Sequence, residues 1–169
     1  MIFRRDDVSR ENVSQVAATC ASLFHGGDVV VLIGDIGAGK TTLVAEIAPL
    51  LGAKDQVTSP TFAIVAEYDL AEVQRGIKKI IHVDTYRLVG VNELYDLGLE
   101  TIFAPDALTM IEWGERIEEY IDRNHFRLAI EEDLPDSRSF IFEVVGKIES
   151  ERSSVLENLL LESGWSQHA

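Results

Sequence analysis

The sequence is poor in cysteine and has no long apolar segment. Cys20 is the only cysteine among 169 residues, so no disulfide bond can form within the chain. No apolar run approaches the roughly 18 residues that a membrane-spanning helix needs. The first ten residues, MIFRRDDVSR, reach a charge at the fourth position and lack the apolar region of a signal peptide. We therefore expect a cytoplasmic protein in which Cys20 packs on one face of a helix.

Basic residues are also scarce. The chain has 15 lysines and arginines against 29 aspartates and glutamates, which gives a formal net charge of −14. A chain with this excess of negative charge is not expected to bind nucleic acid by neutralising many phosphates. Any link to nucleic acid is therefore expected to pass through a partner protein.

The glycine-rich segment VVVLIGDIGAGKTTLVAEI, residues 29–47, is the strongest motif. Five apolar residues predict a strand buried on both faces, and the segment after the glycines has a helical pattern. Gly34, Gly37, Gly39, Lys40 and Thr41 match the P-loop pattern G-x-x-x-x-G-K-[ST]. In such a loop the backbone N–H groups and the helix N-terminus surround phosphate groups, the lysine reaches the β- and γ-phosphates, and the threonine hydroxyl binds Mg²⁺. The segment therefore predicts a nucleotide site.

The rest of the chain predicts an α/β fold. Helices are predicted over residues 9–24, 40–51, 91–100, 114–124 and 149–164, with Ser9 as the N-cap of the first. Strands are predicted over residues 29–33, 61–70, 79–86, 107–113, 126–133 and 137–146. The early strands alternate with helices and the last two pair directly. This order favours a P-loop NTPase-like, mixed parallel and antiparallel sheet flanked by helices. Trp165, near the end of the chain, is expected to be exposed to solvent.

Two acidic residues end apolar strands. Asp84 ends KIIHVD and Glu112 ends ALTMIE. In a P-loop protein such an acid commonly serves the metal ion, although either residue could also be a polar strand end that faces water. The pattern does not rank the two acids.

A hydroxyl-rich loop, VTSPTF at residues 57–62, precedes a predicted strand. A loop at this place could contact the γ-phosphate and change its order on hydrolysis. A plain proline turn is the alternative.

Two features of other nucleotide-binding classes are missing. The sequence has no N-K-x-D stretch, which a guanine-specific GTPase is expected to carry. The segment ERIEEYIDR is too acidic for the arginine-bearing lid of a small-molecule kinase. A P-loop kinase of a small metabolite and a nucleotide sensor without hydrolysis nevertheless stay open as alternatives.

Five motifs together carry a resemblance to a known family. GDIGAGKTT, TSPTF, HVDTYRL, ELYDLGLE and IEWGERI follow one another at short spacings, and together they resemble the TsaE family of small bacterial P-loop ATPases. The resemblance covers about Ser9 to Gly146, which is most of the chain. The resemblance implies ATP and Mg²⁺ as ligands and slow intrinsic ATP hydrolysis. It also implies two partner proteins, TsaB and TsaD, of which TsaD transfers the threonylcarbamoyl group to adenosine 37 of tRNA. ATP turnover by the family member would reset this complex between cycles.

The resemblance also implies roles for individual positions. The nucleotide is expected to contact Asp35, Ile36, Gly37, Ala38, Gly39, Lys40, Thr41, Thr42, Trp113, Arg138 and, near the base, Ser9. Thr41 and Glu112 are expected on Mg²⁺, and Asp84 and Glu112 in catalysis. The chain has DTYR where the family often has DLYR, and the segment after Gly146 has no match to the family. We therefore expect a P-loop ATPase domain over residues 1–146 and a helical tail over residues 147–169 packed on it.

Overall fold

A computed structural model describes residues 1–88, 91–96, 98–134 and 136–168 of the chain. Within these ranges eight strands form one sheet in the order β3-β4-β5-β2-β6-β7-β1-β8. The strands are β1 (Ile2–Ser9), β2 (Val29–Ile33), β3 (Val65–Gln74), β4 (Ile77–Asp84), β5 (Ala107–Glu112), β6 (His125–Leu134), β7 (Ser137–Val145) and β8 (Ser166–His168). The α-helices are α1 (Val13–Leu23), α2 (Lys40–Leu50), α3 (Val91–Asp96), α4 (Leu99–Ile102) and α5 (Ser150–Glu162).

The centre of the sheet is parallel and its flanks are antiparallel. β4, β5, β2 and β6 run in one direction, and β3, β7, β1 and β8 pair antiparallel with their neighbours. Because parallel strands end at the same edge, Leu32 lies beside Glu112, and Glu112 beside Asp84. The predicted mixed sheet is confirmed, and its register places both candidate acids at one edge.

Strand β2 is buried on both faces, as its continuous apolar run predicts. Val30 and Leu32 belong to a core shared with α1, α2 and α5 on one side of the sheet. Val29 and Val31 belong to a second core on the opposite side, which includes Ile102 of α4. The P-loop therefore follows a strand that packs against a hydrophobic core on each face of the sheet.

Helix α1 starts later than its pattern predicts. Residues 2–9 form strand β1, Arg10–Asn12 form a 3₁₀ turn, and α1 begins at Val13. Ser9 makes no side-chain capping hydrogen bond, so its predicted N-cap role is wrong. The alternation that identifies a strand is hidden in β1, because charged residues fill its centre and its pairing with β7 is irregular between Arg5 and Val8.

Cys20 lies on α1 and is fully buried, as predicted. Burial raises the pKa of its thiol to about 12.

The segment after β5 is not the predicted helix over residues 114–124. It forms two 3₁₀ turns, Gly114–Arg116 and Glu118–Tyr120. The chain leaves β5 through Trp113, which has a left-handed backbone with φ of 57°. A Cβ on Gly114 would lie 2.9 Å from Cγ1 of Val31. The first 3₁₀ turn therefore packs closely against β2. Two 3₁₀ turns stand where a regular helix was predicted.

Two other predicted elements differ at their ends. The predicted strand over residues 61–70 begins only at Val65, because the N–H of Ile64 turns back to the carbonyl of Pro60 and Ile64 has φ of 66°. The predicted helix over residues 91–100 is α3 followed by α4, with Gly98 at φ of 81° between them. Leu97 lies outside the described residues.

The C-terminal segment contributes to the core. Helix α5 is present as predicted, and Leu156, Leu160 and Trp165 join the core that also contains α1. Trp165 is only 3% exposed and meets Phe142 edge to face, with 6.4 Å between ring centroids. The expectation of an exposed Trp165 is therefore wrong. Trp165 directly precedes β8, and the pairing of β8 with β1 keeps this part of the chain beside the core. No helix in the described ranges has the length and apolarity that crossing a membrane requires.

Truncating Trp165 is expected to destabilise the whole domain. Trp165→Ala should lower the free energy of unfolding by about 3–5 kcal/mol, because it leaves a large cavity against Phe142. Leu161→Ala is the matched control on α5, since Leu161 is exposed and should cost about 0.5 kcal/mol or less. Urea unfolding followed by far-UV circular dichroism measures both. Equal unfolding midpoints for the two variants would contradict the burial of Trp165 against Phe142.

Candidate functional site

The P-loop joins β2 to α2 and offers backbone donors. Gly37 and Gly39 have φ of 86° and 112°, values that residues with a Cβ rarely adopt. Gly39 is the N-cap residue of α2 and no side chain caps this helix. The first N–H groups of a helix have no partner within it, and they carry the positive end of the helix dipole. The loop therefore presents free donors to an anion.

Lys40 is a buried cation held by neutral groups. The residue is 4% exposed, and its Nζ donates to the carbonyl oxygens of Gly34 at 2.5 Å and Asp35 at 2.9 Å. Nζ also lies 3.8 Å from the ring centroid of Trp113. Burial lowers the pKa of Lys40, and the negative charges of Glu112 and other nearby acids oppose this shift. A bound anion would stabilise the buried charge.

Glu112 contacts the P-loop directly. The residue is 4% exposed, and its Oε1 accepts a hydrogen bond from Thr41 Oγ1 at 2.6 Å. Nε2 of His82 lies 2.8 Å from the same oxygen. The contact with Thr41 arises because β5 is the parallel neighbour of β2, so Glu112 ends its strand beside the start of the loop.

Asp84 contacts the hydroxyl-rich loop instead. Its Oδ2 accepts from Thr61 Oγ1 at 2.5 Å, and its Oδ1 accepts from the N–H of Tyr86 at 2.9 Å. Ser59 Oγ lies 2.6 Å from Thr61 Oγ1. The two acids that the sequence does not rank therefore have different neighbours: Glu112 contacts the P-loop and Asp84 contacts the loop over residues 57–62.

These groups line one cavity of about 350 Å³. Its lining is Ile36, Gly37, Gly39, Lys40, Thr41, Thr42, Ser59, Thr61, Asp84, Tyr86, Glu112 and Trp113. Nine of these positions are nucleotide, metal or catalytic candidates of the sequence analysis. Asp35 contributes the carbonyl that holds Lys40. The P-loop and both candidate acids thus share one cavity.

A second cavity, of about 300 Å³, also borders the P-loop and includes Ala38 and Arg138. Arg138 is 7% exposed, and its Nε donates to the carbonyl of Ala38 at 3.0 Å. One nitrogen of its guanidinium, Nη1, is buried and has no hydrogen-bond partner within the described residues. Ser9 lines neither cavity, whereas its neighbour Arg10 lines the second.

Five residues near the site were not individual candidates in the sequence analysis: Arg10, Ser59, Thr61, His82 and Tyr86. Thr61 lies in the hydroxyl-rich loop, whose hydroxyl content was its signal. The ring of Tyr86 lies 5.2 Å from that of Trp113 between centroids. His82 is a fully buried polar residue between two buried apolar residues of β4, Ile81 and Val83, and a buried polar residue needs a partner. Its partner, Glu112, lies on another strand and is not evident from spacing.

The parallel central strands, the glycine loop leading into α2 and the acid beside it define a P-loop NTPase-like α/β protein. A family model described as "Threonylcarbamoyl adenosine biosynthesis protein TsaE" matches residues 8–140. The chain belongs to the TsaE family, whose role is in the biosynthesis of threonylcarbamoyladenosine in tRNA.

Individual relatives agree with this assignment. The chain is 35% identical over 139 residues to the tRNA threonylcarbamoyladenosine biosynthesis protein TsaE of Bacillus subtilis, covering 82% of this chain and 84% of that protein. It is 38% identical over 121 residues to the TsaE protein of Streptomyces coelicolor, covering 69% of this chain and 77% of that protein. The crystal structure of Bacillus subtilis YdiB is similar, with a TM-score of 0.70, 28% identity and 96% of each chain covered.

Proposed function

We propose that this protein binds ATP with Mg²⁺ and hydrolyses it slowly. The observation that carries the proposal is the 2.6 Å hydrogen bond between Thr41 Oγ1 and Glu112 Oε1. It joins the hydroxyl of the P-loop to an acid at the end of the neighbouring strand, which is the pairing that holds Mg²⁺ in P-loop NTPases. The free donors of α2 and the buried charge of Lys40 support the phosphate site.

The two oxygen ligands that Thr41 and Glu112 offer fit Mg²⁺ better than a metal ion whose ligands all come from protein side chains. Within the described ranges no group of three or more histidine, cysteine, aspartate or glutamate side chains could hold an ion. Mg²⁺ commonly uses one or two protein oxygens together with phosphates and water. Thr41 and Glu112 would hold the ion, which would neutralise charge on the phosphates. Such a site depends on bound nucleotide to complete it.

Asp84 is proposed to couple the nucleotide to the loop over residues 57–62. Its carboxylate holds Thr61, and both line the cavity beside Lys40. A change in the phosphates during hydrolysis would reach this loop through Thr61, as in other nucleotide switches. The loop is thus the part of the site best placed to signal the nucleotide state to another protein.

The proposed partners are TsaB and TsaD, in the cytoplasm. The names of the relatives concern the modification of tRNA, yet a net charge of −14 disfavours direct binding to tRNA. An acidic protein is well suited to dock on a basic surface of a partner that holds the tRNA. ATP turnover would then reset the assembly, and tRNA would be contacted only indirectly.

Phosphate release from ATP, measured with and without purified TsaB and TsaD, tests this function. We expect slow release by the chain alone and faster release when both partners are present. A small-molecule kinase would instead need a metabolite as acceptor and no protein partner. A sensor would bind ATP and release no phosphate in any combination.

Trp113 is expected to report nucleotide binding by its fluorescence. The Lys40 ammonium lies over its ring, and phosphates that attract this ammonium would change the environment of the indole. Titration with Mg²⁺–ATP should therefore change the emission, and the change should saturate with the binding curve.

Trp113→Phe is the control for this titration. Trp165 lies in the core against Phe142, so its emission should stay constant, and replacing it would disturb the fold. Trp113→Phe should lose the change in emission that depends on nucleotide. A flat emission from the unaltered chain at saturating nucleotide would place Trp113 outside the site.

A further inference from the structure

His82 is a buried polar residue to which the proposed function assigns no role. It lies in β4, two residues before Asp84, and none of its surface is exposed. Its Nε2 lies 2.8 Å from Glu112 Oε1. Its Nδ1 is buried and has no hydrogen-bond partner within the described residues. Within the described residues, the hydrogen bond of this side chain is therefore the one with Glu112.

The contacts of the ring indicate which nitrogen carries the hydrogen. A neutral imidazole has one N–H donor and one bare acceptor nitrogen. A hydrogen on Nδ1 would be a buried donor without an acceptor, which is costly. A hydrogen on Nε2 points at a carboxylate oxygen and forms a charge-assisted hydrogen bond. The geometry therefore makes His82 a donor to Glu112.

Two donors from different parts of the fold thus converge on Glu112 Oε1. Thr41 approaches from the first turn of α2 and His82 from β4. A carboxylate with a single donor can turn about its last bond, whereas two donors on one oxygen restrict that rotation. The second oxygen, Oε2, accepts neither of these two hydrogen bonds and is kept in a defined position relative to the P-loop.

We propose that His82 is a positioning residue that holds the Glu112 carboxylate in the orientation needed for ATP hydrolysis. The proposal rests on the proposed function, since it assigns His82 a role at the same site. Partners behind metal-side ligands commonly affect activity through orientation in this way. His82 itself is absent from the cavity lining, so it acts through Glu112 rather than on the nucleotide.

Another buried histidine provides a comparison within the same chain. His125 Nε2 lies 2.7 Å from Glu118 Oε1, and His125 Nδ1 lies 3.0 Å from the carbonyl of Arg123. His125 begins β6, at the edge of the sheet opposite to the P-loop. It therefore matches His82 as a buried histidine–glutamate pair but has no connection to the cavity.

Three variants test the proposal by steady-state ATP hydrolysis. His82→Leu removes the donor and should lower kcat roughly 10- to 100-fold with little change in KM for ATP. His82→Gln retains a donor at a similar distance along the side chain and should recover most of kcat. His125→Leu removes the contact between His125 and Glu118, which is distant from the P-loop, and should leave kcat unchanged. Thermal melting of all three checks that each variant is folded at the assay temperature.

Crystal structures of the two His82 variants provide a readout that does not depend on activity. We expect the contact between Thr41 Oγ1 and Glu112 Oε1 to be lost in His82→Leu and kept in His82→Gln. An unmoved Glu112 in His82→Leu would overturn the proposal, as would an unchanged kcat in that variant or an equal loss in His82→Gln. If the unaltered chain hydrolyses no ATP, the proposed function fails, whereas the position of Glu112 still decides what His82 does.

Discussion

Glu112→Gln is expected to lower kcat for ATP hydrolysis about 100-fold or more while leaving ATP affinity nearly unchanged. The amide oxygen of glutamine can still accept the hydrogen bond from Thr41, so the P-loop should keep its shape. The negative charge that would hold Mg²⁺ or orient the attacking water is lost. Most phosphate contacts come from the loop backbone and Lys40, and the substitution does not remove them. Phosphate release and calorimetric titration with ATP measure the two quantities separately.

Glu115→Gln is the matched control for this result. Glu115 is exposed, and its negative charge also opposes the lowering of the Lys40 pKa, so the variant removes one nearby charge without touching Thr41. It should hydrolyse ATP at the rate of the unaltered chain. If Glu112→Gln also retains its rate, Glu112 is only a polar strand end. The same assay on Asp84→Asn ranks the two acids.

Lys40→Ala is expected to weaken ATP binding roughly 10- to 150-fold. A hydrogen bond to a charged group contributes about 1.5–3 kcal/mol, and a free energy of this size corresponds to that change in Kd. The effect should be large because Lys40 is buried and its hydrogen bonds in the cavity go to neutral carbonyls. Calorimetric titration with Mg²⁺–ATP measures the change.

The substitution of Lys40 also has a structural cost that the experiment must separate. Lys40 is the first residue of α2, and its removal leaves the carbonyls of Gly34 and Asp35 without this donor. Thermal melting should show that the variant is folded during the titration. Lys54→Ala, at an exposed lysine outside the cavity, should bind ATP as the unaltered chain does. An unchanged Kd for Lys40→Ala would refute the phosphate site.

The centre of the fold could be predicted from the sequence because its signals are local. Strand β2 has the predicted bounds, and α2 differs from its prediction by one residue at its end. A continuous apolar run, closely spaced glycines and a helical pattern follow one another there, so each element supports the next. The shared edge of Asp84 and Glu112 also follows from strand ends in a parallel sheet.

Strands β1 and β8 could not be predicted because their signals are not local. Strand β1 has charged residues at its centre, and β8 has three exposed residues, so both depend on pairing with a strand distant in sequence. The buried position of Trp165 follows from that pairing. The contact between His82 and Glu112 likewise joins residues of different strands, and sequence spacing does not indicate it.

A crystal structure of the protein with Mg²⁺ and a non-hydrolysable ATP analogue would show whether the nucleotide and the metal ion bind at the P-loop. We predict that the phosphates lie at the first turn of α2 beside Lys40, with a metal ion at Thr41 and Glu112. The contact between Lys40 and the carbonyls of Gly34 and Asp35 should weaken as the ammonium turns to the phosphates. An analogue bound away from the P-loop, or a metal ion that contacts neither Thr41 nor Glu112, would contradict the account.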